Sequence, residues 1–114
     1  MHELSIAENI VEIVHQYLPA SHGGVSCVKV RIGDMAGVVP DSLIFCFGAV
    51  TAGTALEGAH LEIERVPLKG RCRACGRENP LEEFTFRCPS CGSSDLQLVS
   101  GRELEVAEIE VEDP

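Results

Sequence analysis

Two closely spaced cysteine pairs, Cys72-x2-Cys75 and Cys88-x2-Cys91, stand twelve residues apart and constrain this chain more than any other feature. A two-residue spacer lets one tight turn present both sulfurs, and two such turns together offer the tetrahedral thiolate cage that zinc prefers. Gly76 and Gly92 each follow the second cysteine of a pair, where the chain has to turn without side-chain obstruction. Four protein ligands leave no open position for water or substrate, so the expected zinc is structural and not catalytic.

Residues 70–101 around these pairs are rich in Cys, Gly, Pro, Ser and Arg and poor in the apolar residues of an independent core. They read as an insertion that draws much of its folding energy from the metal. Cys27 and Cys46 stand alone and read as small buried hydrophobes, not ligands.

The flanking residues, 1–69 and 102–114, carry the periodicities of helices and strands. Leu4, Ala7, Val11, Val14 and Leu18 recur at helical spacing, with Ser5 and Glu8 in a capping-box pattern and Pro19 after the end. Val28, Val30 and Ile32 alternate with Lys29 and Arg31 as a half-buried strand after the turn at residues 20–24. Pro40-Asp41-Ser42 opens a second helix, with Leu43, Ile44, Phe47 and Val50 running toward Gly53. Two more strands are predicted at Leu61 and Ile63 and at Leu104 and Val106, with a slip at Ala107 that suggests a bulge or strand end.

Charge removes several function classes. The 114-residue chain has 18 acidic against 9 basic residues, net −9, and its insert holds Arg71, Arg73, Arg77 and Arg87 against Glu78, Glu82, Glu83 and Asp95. The acidity therefore resides in the flanking lobe, which offers no cationic stripe for phosphate backbones or anionic membranes. No apolar stretch is long enough to span a bilayer and no export signal is expected, so the chain is placed in the cytoplasm, where reduced cysteines serve metals. Glu103, Glu105, Glu108 and Glu110 read first as a solvated edge and second as a surface that steers a basic partner.

Met1-His2-Glu3 opens the chain. A lone histidine at a chain end is ordinarily a solvated residue. Its donors nevertheless suit chelation. A free α-amine, the backbone nitrogen of His2 and the imidazole Nδ1 close adjacent chelate rings around one ion, and the backbone nitrogen of Glu3 completes a plane. Such a nitrogen set suits Ni(II) or Cu(II) better than Zn(II). The bulk of His2 is expected to spare the initiating Met from removal. His15, His22 and His60 read as surface or satisfied residues.

Met1 to Ser5, Gly37-Val38-Val39-Pro40, Gly53 to Ala59, Leu61-Glu62-Ile63 and the Cys72 to Cys91 ribbon together resemble the HypA/HybF family of hydrogenase nickel-incorporation proteins, in order and over essentially the whole chain. The resemblance implies an α+β fold: a nickel lobe of a small three-stranded sheet with two helices, interrupted by a zinc-ribbon lobe at residues 70–101. It implies a metallochaperone that binds Ni(II) as cargo through Met1, His2 and Glu3 and keeps a structural Zn(II) on Cys72, Cys75, Cys88 and Cys91. Its implied partners are the nucleotide-hydrolysing protein HypB and the precursor of the [NiFe]-hydrogenase large subunit. Some family members take a nickel ligand from a histidine in or beside the zinc lobe, whereas this chain has none after His60.

Two other readings compete. A zinc-ribbon interaction module of transcription or translation machinery explains the cysteines and leaves Met-His-Glu accidental, against a charge that opposes nucleic-acid contact. A small redox protein with iron in the cage follows from Cys88-Pro89-Ser90-Cys91-Gly92, which resembles half of a rubredoxin site, and predicts visible absorbance. No serine triad, phosphate-cradling loop or carboxylate pair points to an enzyme.

Overall fold

The computed structural model describes residues 2–82 and 85–114. Met1, the expected amine donor, and Glu83, counted above among the acidic residues of the insert, lie outside the described residues. Helix α1 runs His2–Tyr17 and helix α2 runs Pro40–Thr51. Strands β1 Val25–Gly33, β2 His60–Val66 and β6 Leu104–Val111 form one sheet in the order β2-β1-β6. Strands β3 Lys69–Cys72, β4 Glu78–Pro80 and β5 Leu96–Ser100 form another in the order β4-β3-β5.

The chain divides into two compact units, one of Met1–Arg31, Val38–Glu64 and Glu105–Pro114, the other of Ile32–Gly37 and Arg65–Leu104. In the first unit α1 and α2 pack on each other. Its core takes Ile6, Ala7, Ile10 and Val14 from α1, Leu43 and Phe47 from α2, Val28 and Val30 from β1 and Leu61 from β2. Gly23 N–H donates to Glu112 O at 2.9 Å and Ser26 Oγ to Glu110 O at 3.3 Å, a falling register that sets β6 antiparallel to β1. Arg31 of β1 ties both neighbours together on the wet side, to Glu64 of β2 at 2.9 Å and to Glu105 of β6 at 2.8 Å.

Several expectations change. Helix α1 begins at His2, so Ser5 and Glu8 lie inside it and form no capping box. Its buried stripe is Ile6, Ala7, Ile10 and Val14, while Leu4 is exposed and Val11 and Leu18 are only half-buried. The four-residue spacing of Ile6, Ile10 and Val14 aligns three branched side chains on one face, which the 4-7-11 reading passes over. In α2, Leu43 and Phe47 are buried as expected, but Ile44 faces solvent and Val50 is half-buried. Pro40 takes the first turn of α2, where its missing N–H costs nothing. Strand β6 runs unbroken through Ala107 to Val111, so the slip is not a strand end; Val106 and Ile109, three residues apart, are both half-buried. Its edge position relaxes the demand for strict alternation.

In the second unit β3 is the central strand, antiparallel to both neighbours, with Arg71 opposite Glu78 and Cys72 opposite Leu96. The segment re-enters through a single 3-10 turn at Asp34–Ala36, where Met35 N–H donates to Gly101 O at 2.7 Å and Gly33 N–H to Glu103 O at 2.8 Å. Arg65 pairs with Asp34 at 3.0 Å.

Candidate metal centres

The four cysteines converge. Their Sγ atoms all lie within 4.8 Å of one another, with Cys72 to Cys91 at 3.5 Å and Cys75 to Cys88 at 3.6 Å. A tetrahedral zinc with Zn–S bonds of about 2.3 Å holds its sulfurs about 3.8 Å apart, so the cage has the right size for that ion. Cys72 and Cys88 are buried, and Cys75 and Cys91 are exposed.

Both pairs sit on the same backbone device. In the first, Gly76 N–H donates to Cys72 O at 2.8 Å and Cys72 N–H to Arg77 O at 2.9 Å; in the second, Gly92 N–H donates to Cys88 O and Cys88 N–H to Ser93 O, both at 2.8 Å. Each turn closes through a glycine at φ 77° or 78°, the left-handed region that other residues enter at a cost. A Cβ at either glycine would meet nothing within 4 Å, so the requirement is the dihedral itself and not clearance.

The same turns aim backbone donors at sulfur. The Cys75 N–H lies 3.4 Å from Cys72 Sγ and lowers that thiol's pKa. Cys88, facing the N–H groups of Cys91 and then Ser90, falls to about 6. Cys91 accepts from the Ser93 N–H, yet the sulfur of Cys72, partial desolvation and the sulfurs of Cys88 and Cys75 outweigh that donor and push it up to about 12. Four sulfurs this close cannot all ionise unaided, and a central dication is the charge that lets them do so.

At the other candidate centre, His2 opens α1 and is largely exposed, whereas Glu3 is nearly covered. Glu3 Oε2 accepts from the Val39 N–H at 3.3 Å and lies 3.4 Å from His2 Nδ1. These contacts, Val39 first, hold the Glu3 carboxyl below its ordinary value. The amides that open an α-helix have no acceptor within it, so the backbone nitrogens of His2 and Glu3 stand at positions the helix leaves unspent.

The remaining candidates stay apart from both centres. Cys27 and Cys46 are half-buried where full burial is expected. Burial, with Glu110, Glu62 and Glu108 nearby, raises the Cys27 thiol and keeps it inert. His15 and His60 are exposed, and half-buried His22 turns Nδ1 to the Gly23 carbonyl. Sequence reasoning misses the Glu3 to Val39 bond, which spans 36 residues without any local signal.

Over residues 1–111 the chain matches the family described as hydrogenase/urease nickel incorporation, metallochaperone, HypA. It is 50% identical over 114 residues to Hydrogenase maturation factor HypA of Geobacter metallireducens, covering 98% of this chain and all of that protein. It is 45% identical over 112 residues to the protein of the same name from Geobacter sulfurreducens, with 98% and 100% covered. The solution structure of the Ni metallochaperone HypA from Helicobacter pylori shares the fold, with a TM-score of 0.67 over 98% of each chain at 15% identity.

Proposed function

Because the chain belongs to the HypA family of hydrogenase/urease nickel-incorporation metallochaperones, we propose that it carries one Ni(II) on Met1, His2 and Glu3 and hands it to the [NiFe]-hydrogenase large-subunit precursor. It works with a HypB-type nucleotide-hydrolysing partner, in the cytoplasm, as a carrier and not as an enzyme. The nickel lobe is residues 1–69 and 102–114. Residues 70–101 form the zinc lobe, in which Cys72, Cys75, Cys88 and Cys91 hold a structural Zn(II) that supplies folding energy.

The observation that carries the nickel reading is where α1 begins. With His2 already helical, its imidazole stands at the helix end together with the backbone nitrogens of His2 and Glu3, which have no acceptor within the helix. The partial positive charge of that end opposes a cation by about 0.3–1 kcal/mol. A micromolar site gains about 8 kcal/mol, so chelation wins over the dipole. Binding displaces protons from amine, amide and imidazole, and acidification therefore releases the cargo.

Nickel titration tests this on three proteins: the native chain, one extended by a residue before Met1, and His2→Ala. The native chain binds one nickel, both variants bind it about tenfold more weakly or worse, and zinc content stays the same in all three. Equal nickel stoichiometry and affinity across the three removes the proposed site. A colourless protein containing zinc excludes iron in the sulfur cage.

A further inference from the structure

Helix α2 keeps Leu43 and Phe47 inside and turns Ile44 and Phe45 outward, 47% and 69% exposed. Val39, just before the helix, is 55% exposed. Further along the outward face come Gly48 and Ala49. Gly48 is the unusual residue. It sits mid-helix at an ordinary dihedral, where a Cβ would meet nothing within 4 Å. Glycine weakens a helix relative to alanine, and nothing within the described chain requires it here. What a bare α-carbon on an exposed helix provides is room for a second backbone to approach.

Charge says what that second backbone belongs to. Neither α1 nor α2 contains a lysine or arginine; their charged residues are Glu3, Glu8, Glu12 and Asp41. The first unit holds 12 acidic and 2 basic residues. A second copy would bring the same acidic rim to the contact and be repelled. We infer that the outward face of α2, Val39, Ile44, Phe45, Gly48 and Ala49, is a docking surface for a partner's amphipathic helix, whose apolar stripe is flanked by lysine or arginine.

The face starts at the metal terminus. Val39 is the residue whose N–H holds Glu3, and Phe45 lies six residues on, about 9 Å along a helix axis. A helix seated there brings its protein alongside the nickel donors. In that sense the docking face rests on the nickel reading, but its test uses nickel-free protein, so the two fail separately.

The probes are the HypB-type partner and the hydrogenase large-subunit precursor of the same organism, each titrated against the native chain, Phe45→Ser, Gly48→Leu and His2→Ala. Phe45→Ser and Gly48→Leu weaken binding of at least one probe about tenfold or more. Their melting temperature and zinc content stay native, and added salt weakens native binding. His2→Ala docks as the native chain does. Native-strength binding of both probes by both α2 variants overturns the inference, as does failure of both probes to bind the native chain. A native dimer that Phe45→Ser converts to monomer overturns it in favour of a second copy. Retained nickel in His2→Ala removes only the nickel site.

Discussion

The carboxylate of Glu3 joins the start of α1 to the residue that precedes α2. Because the Val39 N–H and then His2 hold its pKa below the ordinary 4.5, the bond contributes stability that is fully present above that value. The contribution is lost as the pH falls through the lowered one. Glu3→Gln should therefore melt below the native chain at neutral pH, with the gap closing as the pH drops under 4.5, read from melting temperatures across a pH series. A gap independent of pH removes the charged bond from the account. At this scale the sequence is legible where chemistry is local. The cysteine spacing announces a cage because each pair needs only one turn. Gly33 shows the opposite case. A Cβ there would stand 2.1 Å from the backbone of Gly101, and no neighbour in sequence hints at that approach.

Periodicity at the scale of elements finds both helices and the strands of the larger sheet, most clearly β1, which buries Val28, Val30 and Ile32 in alternation. It misplaces the face of α1 by choosing Leu4 where the fold uses Ile6 and Ile10. The cost of truncation separates the two registers. Ile10→Ala, at 4% exposure, should destabilise by about 2–5 kcal/mol, and Leu4→Ala by about 0.5 kcal/mol or less. Denaturant midpoints on the two variants check this, and equal losses return the stripe to Leu4, Val11 and Leu18. The strands of the second unit leave no such trace. Strand β3 is only Lys69–Cys72, and although it buries Gly70 and Cys72 and leaves Lys69 half-buried and Arg71 exposed, four residues with a glycine and two cations are too few to read as a strand. Its place is fixed by pairing, Gly70 with Asn79 and Leu98, and by the Cys72 turn that follows.

The two units differ most in what holds each one. The first buries eleven apolar residues, from Ile6 to Leu61, whereas the second buries Ile32, Val66 and Leu68 beside Cys72 and Cys88. Three aliphatic side chains contribute about 5–9 kcal/mol of burial at most. Ordering the 46 residues of that unit costs far more than that in conformational entropy. Strand pairing and ion pairs such as Arg71 with Glu78 and Arg73 with Asp95 meet part of the difference, and on the proposed zinc site the metal makes the largest single contribution. Those pairs are solvent-exposed and worth about 0–1 kcal/mol each, while a structural zinc supplies about 10–16 kcal/mol at neutral pH. Stripping the metal should therefore melt the second unit and leave the first standing. Amide NMR during chelator titration should lose dispersed signals from residues 65–104 while α1 and α2 keep theirs, and Cys72→Ala should give the same spectrum without chelator. Acid should act like the chelator, since protons compete for four thiolates that only the central dication lets coexist. Simultaneous loss of all signals would mean that the first unit cannot stand on its own core, and persistence of all would mean that the cage contributes geometry without folding energy.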